Sequence, residues 1–217
     1  MKLENELNRQ IAIAAVAIAH GVTVAPSSDA LQKKLTELIE ERKSQEFPSP
    51  HVKDAVRNLL KSGGFKPSGR NKPASEYLAQ AAREDRFPVI NNLVDINNFV
   101  SLSSGLPISL LDADEFGGSM RLRYGRAGEK YVFNNAGQEI DLQGLICACS
   151  GDSDAPLGNA VKDSMTGKIK DKTTSVAAII YSPGSEEFCE LAQKHLDLFA
   201  ELLRTEGHAQ SAECTII

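Results

Sequence analysis

A chain of 217 residues, 41% of them hydrophobic and 24% charged, has ordinary globular usage and a length that fits one domain. Its net charge of −5 gives a whole-molecule field that does not attract nucleic acid, DNA included, so phosphate binding must rest on a local patch. Cys147, Cys149, Cys189 and Cys214 include a Cys-x-Cys pair that would be strained as a local disulfide, and no His completes a familiar zinc spacing. Reduced thiols, no metal and no cofactor are expected.

Residues 1–8 read as a polar lead-in to the apolar run Ile11–Ala19, which suits either a strand or a buried helical turn and is too short to span a bilayer. Glu4, Glu6 and Arg9 make a poor signal-peptide start, so a cytoplasmic protein with no membrane partner is expected. Val22-Thr-Val24 suggests a short strand. Pro26-Ser-Ser-Asp29 then caps an amphipathic helix from about Ala30 to Arg42, with Leu31, Leu35 and Ile39 on one side. After Pro48-Ser-Pro50 a second helix covers His51–Lys61, with Val52, Val56, Leu59 and Leu60 inward and Gly63-Gly64 as its stop.

Between Lys53 and Lys72, the cations Lys53, Arg57, Lys61, Lys66, Arg70 and Lys72 face Asp54 alone. A solvated helix face explains part of this excess. The second half is different, because Gly63, Gly64, Pro67, Gly69 and Pro73 make it a stiff, turn-rich loop whose backbone is free to approach a ligand. It feeds a helix from Ala74 to about Arg83. Residues 87–112 then place Asn91, Asn92, Asp95, Asn97 and Asn98 inside an apolar pattern. Val94, Phe99, Val100 and Leu102 suit one helix face, Gly105 and Pro107 end it, and Ile108-Ser-Leu-Leu111 reads as a strand. One helix start rarely needs so many amide and carboxylate caps, so a polar pocket is expected beside it.

Beyond Gly117-Gly118, Met120–Tyr124 alternates as a strand with one wet face, and Gly125–Lys130 predicts a hairpin back into Tyr131-Val-Phe133. Asn134–Gly137 turns into Ile140-Asp-Leu142, and Leu145–Cys149 is an apolar strand. Ser150–Ser164 is a polar loop prolonged to Thr174, and Ser175–Tyr181 a buried strand. The last helix runs from about Ser185 to Leu203, with Phe188, Leu191, Leu198, Phe199 and Leu202 inward, and the tail after Gly207 is expected to be mobile. Cys214-Thr-Ile-Ile217 matches a prenylation box only superficially, with no polybasic run before it. This order predicts an α+β fold with a mainly antiparallel sheet and flanking helices. It also predicts one domain: an extension over 1–50, a core over 51–183, and a C-terminal helix and tail over 184–217.

No Gly-x-x-x-x-Gly-Lys-Ser/Thr loop, dinucleotide-binding glycine fingerprint or Gly-x-Ser-x-Gly elbow occurs, and His20, His51, His195 and His208 lie outside the polar loops. NTP hydrolysis, hydride transfer and triad hydrolysis lose support. An enzyme of this composition activates water by positioning.

Lys66-Pro-Ser-Gly-Arg-Asn-Lys-Pro-Ala-Ser-Glu76, Ile90–Ile108, Leu111-Asp-Ala-Asp114, Gly158–Ser164 and Lys172-Thr-Thr174 together resemble the B3/B4 domain of the phenylalanyl-tRNA synthetase β subunit, in freestanding form. The resemblance covers about residues 50–183 and implies an α+β fold with a substrate cleft beside the sheet. It also implies hydrolysis of the ester joining a wrong amino acid to the terminal ribose of tRNA. An editing-site Thr-Asn pair falls on Asn97-Asn98, so Asn98 matches outright. A Gly-Gln-Pro-Met-His-Ala-Phe-Asp run falls on Gly105–Asp112, turning the editing histidine into Ser109 and the pocket aromatic into Leu111, which implies a pocket for a different side chain. Asp152, Asp154 and Asp163 are candidates for the pocket acid.

The resemblance, with the chemistry of the side chains, assigns catalysis to Asn98, Asp95, Lys162 and Asp163, with Lys162 or backbone N–H groups on the developing oxyanion. Asn91, Asn92, Asn97, Ser109, Leu111, Asn159 and Ser164 are expected to hold the aminoacyl group, and Lys66, Arg70, Asn71 and Lys72 the tRNA 3′ end. A non-catalytic module that binds tRNA or a free amino acid is the competing reading, favoured by the missing histidine. A generic hydrolase would act on aminoacyl esters without tRNA.

Overall fold

Eight successive buried residues, Ala12–Ala19, settle the first apolar run as a strand, since a strand between two neighbours can bury both faces along its length. The computed structural model describes every residue from Met1 to Ile217. In chain order the elements are β1 (Lys2–Asn5), β2 (Ala12–His20), α1 (Asp29–Lys43), α2 (Pro50–Lys61), α3 (Ala74–Arg83) and α4 (Asn92–Ser104). There follow β3 (Ile108–Asp112), β4 (Ser119–Tyr124), β5 (Lys130–Val132), β6 (Glu139–Asp141), β7 (Ile146–Ser150), β8 (Pro156–Asn159), β9 (Ser175–Pro183), α5 (Glu186–Thr205) and β10 (Ser211–Ile216). Short 3-10 turns occupy Gly69–Asn71 and Ala113–Phe116.

Two sheets carry the molecule. One has the order β10-β2-β9-β3, antiparallel throughout, and the other β1-β4-β7-β8, in which β1 and β4 form the parallel pair. A hairpin of β5 and β6 stands apart from both. The α+β class with mainly antiparallel pairing therefore holds. The main core cluster draws on residues from Leu7 to Leu203. No helix is long and apolar enough to cross a membrane.

Several local expectations change. The tail after Gly207 is the edge strand β10, paired with β2 from Ser211 opposite His20 to Ile216 opposite Ala15, with Ala212 and Ile216 against the core. Val22–Val24 is not a strand. The polar loop after Ser150 contains β8, which pairs with β7. β4 does not fold back onto β5: its neighbours are β1 and β7. Arg123, on the face expected to be wet, is only 2% exposed. It forks onto both Glu129 carboxylate oxygens at 2.8 Å and reaches Asp154 Oδ1 at 3.0 Å and its carbonyl oxygen at 2.7 Å. The 125–130 segment is thus tied to β4 by charge rather than by a strand ladder.

Helix starts follow local chemistry. Ser28 and Ser49 accept from the backbone N–H groups of Leu31 and Val52, and Pro50 sits in the first turn of α2. α1 turns Leu31, Leu35 and Leu38 inward, with Leu38 rather than Ile39 completing the buried row.

Candidate functional site

The site is built on α4. Asn91 caps it, its side-chain oxygen accepting from Val94 N–H at 2.9 Å, and Gly105 ends it at φ 77°, a backbone conformation that favours glycine. Successive helical residues turn by about 100°, so Asn91, Val94, Asn97 and Asn98 share one side of the helix and face a cavity of about 700 Å³. Asn92 and Asp95 face elsewhere. Asn92 accepts from Ala25 N–H and donates to the Thr23 and Glu206 carbonyls, while Asp95, fully buried, accepts from Ser27 Oγ at 2.6 Å and Ile90 N–H at 2.9 Å. Both expected ligand-handling residues are consumed in fastening the 23–27 segment and the start of α4.

The cavity has an apolar body and charged edges. Ile108 and Leu110 on β3, Val94 on α4, Tyr77 and Leu78 on α3 and Phe133 beyond β5 supply the body. Arg70, Lys162 and Lys168 are set against the single carboxylate Asp163. Asn97 Oδ1 is buried with no partner, while its Nδ2 lies 3.4 Å from Asn98 Oδ1. A buried acceptor without a donor is costly.

The 160–163 segment joins three elements at this cavity. Ala74 N–H at the start of α3 donates to the Ala160 carbonyl, Tyr131 Oη donates to the Lys162 carbonyl, and Asn159 Oδ1 accepts from the Val161 and Lys162 N–H groups. Asn159 is therefore a shaper of the loop rather than a lining residue. Ser164 has the same character, accepting from Gly167 N–H.

Asp163 projects beneath β8, where Ser109 Oγ donates to it at 2.5 Å and also lies 3.1 Å from Tyr181 Oη. Room for the carboxyl comes from Gly158, where a Cβ would meet Asp163 Oδ1 at 2.6 Å. Burial pushes the Asp163 carboxyl up to about 7, opposed by the Ser109 hydroxyl, the Asn159 N–H and the charge of Lys168. Lys162 is held below the ordinary lysine range by burial and by Arg70, and its Nζ sits 4.1 Å over the Phe133 ring.

Alternation along β3 corrects one further assignment. Ile108 and Leu110 line the cavity, whereas Ser109 and Leu111 do not: Ser109 sits behind Asp163, and Leu111 lies against Gly158 and Gly167. Ser109 acts through Asp163. Leu111 does not line the cavity.

The basic loop divides. Arg70 lines the same cavity as Asn91 and Asn98. Lys66 and Asn71 open onto a second, polar hollow across the Gly69–Asn71 turn. Lys72 bonds to Gln80 and lies 4.5 Å over the Tyr77 ring, and Arg57 is committed to the buried Glu76 through two bonds of 2.7 Å. Of the other acids weighed for the pocket, Asp154 is held by Arg121, Arg123 and Arg126, and Asp152 sits beside Gly117.

Tyr77, Phe133, Gln138 and Lys168 line the cavity without having been singled out from the sequence. Tyr77 carried one legible signal, an aromatic just after the basic loop. The other three arrive through pairings distant in sequence.

The sequence model described as the B3/4 domain matches residues 65–195. The phenylalanine–tRNA ligase β subunit of Streptococcus pneumoniae is 30% identical over 107 residues, which are 48% of this chain and 13% of that protein. The β subunit of Bartonella henselae is 36% identical over 61 residues, 28% of this chain and 8% of that protein. The chain thus spans a small part of the curated relatives it matches. A crystal structure of an N-terminal fragment of the phenylalanyl-tRNA synthetase β subunit from Pyrococcus horikoshii matches 100% of this chain and 50% of its own, with a TM-score of 0.51 at 12% identity. That likeness is one of fold.

Proposed function

From the premise that this chain belongs to the B3/4 domain family, we propose that it binds the aminoacylated 3′ end of tRNA and hydrolyses the ester of mischarged tRNA in trans. One observation carries the reading: Arg70, the amides Asn91, Asn97 and Asn98, and the pair Lys162 and Asp163 line a single cavity. Arg70 meets a terminal phosphate. The amides of Asn97 and Asn98 on the cavity wall receive the substrate α-ammonium group and the acyl carbonyl. A water between Asp163 and the ester attacks the carbonyl carbon while its proton passes to the carboxylate, and the Lys162 ammonium faces the developing oxyanion. Collapse breaks the bond to the ribose oxygen, which takes the proton back. Such a protein works where translation does, in the cytoplasm.

Ser109, standing where the resemblance places the editing histidine, supports the second reading, a module that binds without hydrolysis. A panel of mischarged tRNAs separates the two. Deacylation is expected at least about tenfold above the spontaneous rate for one pair. Arg70→Ala is expected to lower it by about tenfold, as loss of one phosphate contact weakens binding and flattens its salt dependence. Clear tRNA binding with no release for any pair leaves the binding module. Release from aminoacyl esters without tRNA, indifferent to Arg70→Ala, leaves a small-molecule hydrolase.

A further inference from the structure

Beside the acyl cavity lies a second hollow of about 500 Å³, bounded by Gly63–Lys66, Asn71, the β6 residues Glu139–Asp141, and Gln143. The two share their walls. Arg70 and Gln138 line the first, and their chain neighbours Asn71 and Glu139 line the second, so one 3-10 turn and one strand separate them. At the crest of that turn Gly69 has φ 56° and open space where a Cβ would stand. A strand of nucleic acid can cross there against bare backbone.

The hollow's charges are unspent in a particular way. Glu139 is paired with Lys130 at 2.7 Å, but Asp141 has no cationic partner and uses one oxygen to accept from Gln143 N–H. Lys66 makes no ion pair, unlike Arg57 behind it. The floor is rigid because the Gly63 and Gly144 backbones cross so closely that a Cβ at either would meet the other's carbonyl oxygen at 2.3 or 2.2 Å. Gly64 next to it is open, and Phe65 supplies a half-buried ring. A free acceptor, a free cation and an open stretch of glycine backbone fit a nucleotide, whose planar base carries an amine donor and whose sugar carries a phosphate.

We infer that this hollow binds the nucleotide preceding the acylated adenosine, the penultimate cytidine of the tRNA 3′ end, with Asp141 accepting from its exocyclic amine and Lys66 meeting its phosphate. The inference rests on the proposed function, because it assigns the neighbouring cavity to the terminal aminoacyl-adenosine. A carboxylate accepts from cytosine N4 but repels the carbonyl that uracil presents at the same place.

The test compares uncharged microhelix RNAs ending in 5′-CCA-3′ and 5′-CUA-3′, with binding followed by fluorescence anisotropy. The cytidine tail is expected to bind about tenfold tighter, the scale of one good base-edge contact. Asp141→Asn, whose side-chain oxygen keeps the bond from Gln143 N–H and so turns the amide NH2 towards the base, is expected to erase or reverse that preference. Lys66→Gln is expected to weaken both tails equally. Equal affinity of the wild-type protein for the two tails, or a preference that survives Asp141→Asn, overturns the inference. A 3′-aminoacylamino-adenosine, which ends before the hollow, reports separately on the first cavity. If it binds while the tails are not distinguished, the proposed function stands and this subsite alone fails.

Discussion

Asp163→Asn is expected to cut deacylation by about 10²–10³-fold while leaving the affinity for an uncharged tRNA 3′ end nearly unchanged, the signature of a lost general base. The wild-type rate, corrected for spontaneous hydrolysis, should rise with pH and level off near 7, where burial has pushed the Asp163 carboxyl. The Ser109 hydroxyl, the Asn159 N–H and the charge of Lys168 oppose that push without cancelling it. The same shift makes a stability prediction of definite sign. Between the unfolded value near 3.8 and the folded value near 7 the native state holds a proton that the unfolded chain has released, so stability falls as pH rises through that window. Asparagine cannot ionise and lacks this slope. Denaturant unfolding at pH 8 should therefore find Asp163→Asn more stable than the parent by on the order of 3 kcal/mol, with the gap closing towards pH 4. A pH-rate profile that ignores the substitution removes Asp163 from the chemistry.

Arg123→Met is expected to produce the largest loss of stability in the chain, roughly 3–5 kcal/mol, because it leaves Glu129 without its buried counter-charge and takes from Asp154 one of its three arginines. The side chain is 3% exposed and makes bonds to Glu129, Asp154 and the Tyr124 carbonyl. For a chain of this length the fall in Tm is about 10 °C. The effect reaches the cavity by a traceable route. Glu129 also accepts from Arg126 N–H, its carbonyl accepts from Leu142 N–H, and the hairpin that follows carries Phe133 and Gln138 into the cavity wall. Calorimetry should show the drop, and KM for mischarged tRNA should rise more than kcat falls. A change in Tm of less than about 2 °C would contradict the burial and pairing described.

Much of this was legible where chemistry is local. Serine caps at Ser28 and Ser49, the asparagine cap at Asn91 and the glycine stop at Gly105 each act within a turn of helix, and they fixed α1, α2 and α4 closely. The stretch rich in asparagine did mark a pocket. What could not be read was direction: Asn91 and Asn92 are neighbours about 100° apart on the helix, and only packing decides that one faces the cavity and the other the 23–25 segment. β8 and β10 escaped for a related reason. Pro-Leu-Gly-Asn and a polar edge strand have little intrinsic β preference, and they exist because β7 and β2 present backbone groups that need partners. Arg123 escaped because its alternation says water, while Glu129 and Asp154 come to it from two loops.

The central claim is that the acylated 3′ terminus sits in the cavity between α4 and the 160–163 segment. Titration of the ¹⁵N-labelled protein with a non-hydrolysable 3′-aminoacylamino-adenosine tests it most directly. The account predicts saturable shifts in the side-chain amides of Asn91, Asn97 and Asn98 and in the backbone of Arg70, Lys162 and Asp163, with the buried Asn92 amide unmoved. Saturable shifts confined to other surfaces, with those amides silent, would contradict it.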